Sequence, residues 1–334
     1  MTTLILPKKD SFIKTYPKDA NALSILLNYE NTNDWLINCF IQITSYDNQF
    51  MDYYDFYYRN CPIIECQRIK IDLINKIHNN VISFIINSIN NRYYPYLTIN
   101  TKYIPAYKNQ FDISHDLLVY GYDYNMQVFF ISDNFSGKYS NKTCYFKELE
   151  NAIINVPKDD YWFQGFRGCI ELLSYNEEKR TNFETYRIKE SISDYINSQP
   201  TKNWFLNHAM WNKDETRNRV FGISCYNTID NHLFKAKQIG KFIEGANQAF
   251  YLMWEHKYTM LTRLDYLKTR GINIDNYCIE QYSNIEQLAN ICLMLKLKFD
   301  LIRDPEILAN IKINYTNIKN NEEIVLRKLL KQFI

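Results

Sequence analysis

Apolar residues alternate or run in short blocks through the first half of the chain, and recur at spacings of three and four through the second. The most informative stretch runs from Tyr103 to Asp133 and contains HDLLVYGYDYNMQVFFISD, opened by His115. Its run Leu117, Leu118, Val119 and Tyr120 reads as a strand, and Gly121, Tyr122 and Asp123 read as turn chemistry. Gln127 to Ile131 then reads as the partner strand, with Asp133 just beyond its end. Further strands are expected over 94–101, 143–146, 167–176 and 183–188, and a helix over 147–155. Leu23, Leu26 and Leu27 predict a helix for which Asp19 is a suitable N-cap. Ile71, Ile74, Val81 and Ile85 predict one helix over 68–90, with His78 as a packing residue. Residues 33–60 combine one helical segment with an aromatic, acidic stretch that is either a strand or a loop.

From about Ser191 the period lengthens. Helices are expected over 191–198, 220–233, 237–269, 280–298 and 304–333, with Gly271 as a stop and Asp304–Pro305 as a start. The implied organisation is an α+β unit with an antiparallel sheet over 1–190 and a mostly helical unit over 191–334.

Composition narrows the function. With 334 residues, 46% of them hydrophobic, the chain can fill two cores. A net charge of +2 without a dominant basic cluster argues against nucleic-acid binding. The first residues show no secretory signal and no window shows a membrane span, so the expectation is a soluble cytoplasmic protein. Eight cysteines, none in a CxxC pair, read as thiols rather than as disulfides or zinc ligands.

Two neighbouring strands of a hairpin bring their open ends together, so His115 and Asp133 are expected to face each other. A carboxylate on one ring nitrogen fixes the tautomer and ring plane of an imidazole that shuttles protons. A nucleophile would complete the set.

His115 followed by DLLVYGYD, then an apolar strand ending in SDN, resembles the His and Asp segments of papain-like C39-type peptidases. The resemblance extends to relatives with a butirosin-type N-terminal domain, which move acyl groups from carrier-protein thioesters to amines. In the second half, Glu255, His256 and Lys257, then Arg263, Leu264, Tyr266 and Leu267, resemble a pattern of the same family. His256, His208 and His232 are expected to pack or face solvent.

The resemblance implies a papain-like cysteine-protease fold with a helical C-terminal region. It also implies a nucleophilic cysteine in the first helical turn, in a pattern close to Asp-Cys-x-x-Ala, where this chain has Asp19, Ala20, Asn21 and Ala22. Alanine thus stands at the sulfur position, through replacement of a cysteine or as a natural pseudoenzyme. Cys39 is the alternative nucleophile, although its apolar setting suits a core thiol. A glutamine that the family often carries before the cysteine is missing among Lys14 to Lys18, which leaves Asn21 or a backbone N–H at the helix start, beside Asp19, as oxyanion donor.

The implied activity is an amide-forming acyltransferase of natural-product biosynthesis, with closthioamide-type polythioamide assembly as one setting. It would use no metal and no cofactor beyond the phosphopantetheine arm that carries the acyl group. Its partners would be an acyl or peptidyl carrier protein and a small amine. Lys14 and Lys18, with Lys8 and Lys9, could meet the acidic carrier. The alternatives are a peptidase or thioesterase, or a binding module without chemistry.

Overall fold

Strands and helices follow one another in the computed structural model as β1 (Thr3–Ile5), α1 (Pro17–Leu26), α2 (Asn33–Leu36), β2 (Ile43–Tyr46), β3 (Phe50–Tyr53), β4 (Ile64–Lys70), α3 (Ile71–His78) and α4 (Val81–Asn90). Then come β5 (Tyr94–Asn100), β6 (Ser114–Asp123), β7 (Val128–Phe135), β8 (Lys138–Tyr145), α5 (Phe146–Ile154) and β9 (Cys169–Tyr175). The remainder is α6 (Thr185–Ile196), β10 (Arg219–Phe221), α7 (Tyr226–Ile239), α8 (Ala246–Thr269), α9 (Asn276–Ile302) and α10 (Pro305–Leu330). The structure describes residues 2–56, 58–78, 80–158, 168–179, 183–201 and 219–333. The fold is α+β with antiparallel sheets, and none of the described helices is long and apolar enough to cross a membrane.

Two compact units form, one from Met1–Thr32 and Cys61–Arg180, the other from Asn33–Asn60 and Thr181–Ile334. Residues 33–60 therefore group with the helical half, a long-range association that hydrophobic period along the chain does not register.

The first unit is built on a sheet of order β4-β9-β5-β6-β7-β8, with β1 also paired to β6. Its ladders are antiparallel, which suits the alternation of the sequence. Gly121 is not a turn residue. It lies inside β6 opposite Ile5 of β1, where a Cβ would stand 2.7 Å from the Leu4 carbonyl oxygen. The glycine is needed for close approach of a second strand, and β6 continues to Asp123 through a bulge between Val119 and Gly121. Asp133 consequently lies within β7 rather than beyond it. β7 and β8 are joined by Ser136 and Gly137, both at positive φ, the two-residue connection that matches strand twist, so β8 begins earlier than the expected 143.

Three expectations, two helices and one strand, change for local reasons. The span 68–90 divides into the end of β4, then α3 and α4, because the Asn80 side chain accepts from the Ser83 N–H at 2.7 Å and caps a new helix. Helix α1 starts at Pro17 with Tyr16 as its N-cap, so Asp19 sits within the first turn instead of capping it. Residues 183–188 enter helix α6 and not a strand, since Ile188, Ile192 and Ile196 share one buried helical face.

In the second unit, β10, β2 and β3 form a small antiparallel sheet. The expected helix over 220–233 begins as β10, passes through a 3-10 turn at Gly222–Cys225 and becomes α-helical at Tyr226. The long helix expected over 237–269 is interrupted where α7 ends at Gly240, with φ 71°, and α8 starts after Gly245, with φ 84°. Helices α8, α9 and α10 pack in sequence, and α10 also meets α6 and α7. Asp304 caps α10 by accepting from the Glu306 N–H at 2.9 Å.

Candidate functional site: an imidazole held between carboxylates

His115 is the second residue of β6, opposite Ile99 of β5, and Asp133 occupies the neighbouring strand β7. The Nδ1 atom of His115 is 2.8 Å from Oδ2 of Asp133 and 3.0 Å from the backbone oxygen of Asp116. Both oxygens only accept, so Nδ1 carries the hydrogen and the neutral ring has its lone pair on Nε2. Among the described residues Nε2 has no partner, and about 30% of the side chain is exposed. Burial alone would lower the pKa of this imidazole, but the Asp133 carboxylate outweighs it and the net shift is upward.

Asp133 is fully buried and receives three donors among the described residues. Besides His115 these are the Tyr107 hydroxyl, on the same Oδ2, and the Asn134 N–H, 2.6 Å from Oδ1. The Tyr107 ring rests on Phe135 with centroids 4.8 Å apart and sits in a short turn started by Pro105. Burial, then the Asp133 charge, raise the Tyr107 pKa well above that of an ordinary phenol, which keeps the hydroxyl a donor. In the sequence Tyr107 carries no signal of its own, being one tyrosine among 28.

Asp116 is the second side chain that the sequence does not single out. Its Oδ1 is 3.8 Å from His115 Nδ1, and its Oδ2 is buried without a hydrogen-bond partner among the described residues. Burial and the nearby Asp133 charge push its pKa up to about 7, against the opposing pull of Lys18. Adjacency to His115 is the only hint that the sequence offers.

Helix α1 packs against β6 and β7. Its first turn reaches the site electrostatically, because the charges of Lys18 and Asp19 act on Asp116. Ala20 and Asn21 are fully buried, and Asn21 Oδ1 accepts from the Tyr139 hydroxyl of β8 at 2.7 Å. The N–H of Ala20 is already bonded to the Tyr16 carbonyl at 3.0 Å, and that of Asp19 to the same oxygen at 3.2 Å. With the helix starting at Pro17, these two amides cannot serve as oxyanion donors. The Asn21 Nδ2 group, near the helix start, is buried and unpartnered among the described residues.

The other sequence candidates fall elsewhere. Cys39 belongs to the second unit, where its carbonyl accepts from the Arg263 guanidinium. Lys18 lies 3.2 Å from Asp19 Oδ2 and over the Tyr16 ring, while Lys14 is half-buried. Lys8 donates to Asn141 Oδ1 at 2.9 Å, and Lys9 is exposed. Cys144 on β8 is close enough for its charge state to act on Tyr107, but burial drives its thiol pKa far upward and it remains protonated. Among the described residues no group of three or more His, Cys, Asp or Glu side chains is arranged to hold a metal ion.

His256 and Lys257 form a second polar cluster, within the second unit. Lys257 Nζ is 2.8 Å from both oxygens of Glu322, which also accepts from the hydroxyls of Tyr195, Tyr226 and Tyr282 at 2.5–3.0 Å. His256 donates from Nε2 to the Ile41 carbonyl at 2.8 Å, and its Nδ1 faces Lys257 Nζ at 3.0 Å. Burial, then the Lys257 charge, hold this imidazole well below its usual pKa, so it is neutral. His232 is buried and donates from Nε2 to the Gln49 carbonyl at 2.8 Å. His208 lies outside the described residues.

No family model matches the chain, and a search of curated proteins likewise finds no match.

Proposed function

We propose that the first unit is an acyl-transfer site of papain-like type, which takes an acyl group from a carrier-protein thioester and passes it to an amine. The observation that supports the reading best is the His115–Asp133 pair, with Nδ1 locked as donor and Nε2 unpartnered among the described residues. An imidazole in that state can accept a proton from a thiol or an incoming amine and return it to a leaving group. The start of α1 adds a partial positive charge and the unpartnered amide of Asn21.

The covalent step needs a sulfur, and position 20 holds alanine. With cysteine there, the thiolate would attack the thioester carbonyl, the carrier thiol would leave with a proton from His115, and the amine would then displace the enzyme sulfur to form the amide. As the chain stands it lacks that nucleophile. Full burial of Ala20, and a Cys144 thiol near Tyr107 that burial keeps neutral, favour a second reading of the unaltered chain: a module that binds the donor without chemistry.

The discriminating experiment is incubation of Ala20→Cys with simple acyl thioesters, followed by intact-protein mass spectrometry. A single acyl adduct at position 20 that an amine discharges supports transfer. Absence of any adduct leaves the binding module.

A further inference from the structure

We propose that Asp116 acts through His115: its carboxyl, beside Nδ1 of the ring, sets the pH range over which the imidazole is a free base. This positioning role rests on the reading of His115 as the proton carrier of the first unit.

The geometry is specific. Asp116 follows His115 in β6 and approaches Nδ1 twice, with its backbone oxygen at 3.0 Å and Oδ1 at 3.8 Å. The backbone oxygen holds the N–H in place, while the carboxyl is near enough for its charge to matter and too far to take the hydrogen from Asp133. Its other oxygen, Oδ2, is enclosed without a hydrogen-bond partner among the described residues, so no hydrogen bond on that oxygen offsets the burial of a charge, and burial outweighs the pull of Lys18. The charged groups facing it are His115 itself, Asp133 from β7, and Lys18 and Asp19 from α1. Strand β5 presents the neutral Thr98 opposite it. Lys18, the one cation from α1 in that set, is already 3.2 Å from Asp19.

An ionised Asp116 would therefore add a negative charge beside buried Asp133, and the carboxyl keeps its proton up to about pH 7. That is the range in which an imidazole titrates, so the charge on either group favours the charge on the other and the two titrations are coupled. When Asp116 loses its proton, His115 holds its own more firmly. The free-base form needed for proton transfer then develops over a broad interval instead of one sharp step. A carboxyl that only filled space would leave the imidazole titration unchanged.

The test follows the ring nitrogens of His115 by NMR against pH in the unaltered chain and in Asp116→Asn. The expected result is a broadened curve in the unaltered chain and a one-site curve in Asp116→Asn, with the midpoint lower by about one unit and Nδ1 still protonated. The carboxyl carbon of Asp116, observed in the unaltered chain, should show an inflection near pH 7, and this measurement decides the matter even if Asp116→Asn does not fold. Coincident His115 curves in the two proteins, or an Asp116 carbon that titrates near the ordinary pH of about 4, overturn the proposal. Neither measurement involves position 20 or an acyl donor, so failure here and failure of acyl transfer are separate results.

Discussion

The first unit holds His115 with Asp133, Asp116 and Tyr107, and the second holds His256 with Lys257, Glu322 and three tyrosines. The ingredients are nearly the same, yet the chemistry open to each differs. His115 keeps one nitrogen unpartnered among the described residues, is partly exposed, and has a raised pKa because a carboxylate supports its charged form. His256 is enclosed, has both nitrogens engaged, and is held neutral by burial and by an adjacent ammonium. An imidazole becomes a proton carrier through what surrounds it, and His256 with Lys257 is instead a buried, fully engaged pair in the core of the second unit.

The largest expected effect would disrupt the second cluster. Glu322→Ala strands the Lys257 ammonium and three phenols in the core, and should cost about 3–5 kcal/mol of unfolding free energy measured in urea. Adding Lys257→Met should recover a large part of that loss, because the stranded charge goes with it. No recovery would mean that the pair is not the main defect.

Next in size is Gly121→Ala, which tests the strand that carries His115. A Cβ 2.7 Å from the Leu4 oxygen and 3.0 Å from the Ile5 Cα forces β1 and β6 apart, at a cost of about 1–3 kcal/mol. A neutral substitution would contradict the β1–β6 register.

The pH dependence of stability extends the contrast. Because the His115 pKa is raised on folding, its contribution is fully present below about pH 6.5 and is lost as pH rises through the folded value. Asp116, shifted up to about 7, acts in the same direction: the folded protein holds a proton that the unfolded chain releases near pH 4, so stability declines between the two. Asp116→Asn should flatten the fall between about pH 4 and pH 7, and Asp133→Asn should reduce the loss above about pH 6.5, both read from urea midpoints across pH. The smallest effect is Asn80→Ala, which removes the cap of α4 at a cost of about 1 kcal/mol without altering either cluster.

The pairing of His115 and Asp133 is legible in the sequence because both lie toward the open ends of two apolar runs close enough along the chain to form one hairpin. The turn itself is not: Gly121 answers to the approach of β1, a contact made by residues more than a hundred positions away. Asp116 and Tyr107 are hidden for a similar reason, since both owe their roles to Asp133 on another strand. At α1 two start signals compete, and Pro17 prevails over Asp19, which sets position 20 nearly one turn deeper and engages its N–H. The inclusion of 33–60 in the second unit leaves no local mark.

Whether the first unit is an acyl-transfer site is decided by iodoacetamide labelling of Ala20→Cys, compared across pH with labelling of Ala20→Cys/His115→Ala. If it is, the new thiol labels faster than the eight native cysteines and does so below the pH of about 8.5 at which an ordinary thiol ionises. Removal of His115 then abolishes most of that advantage while the fold persists. A thiol at position 20 that labels no faster than a surface cysteine, or one indifferent to His115, contradicts the acyl-transfer reading.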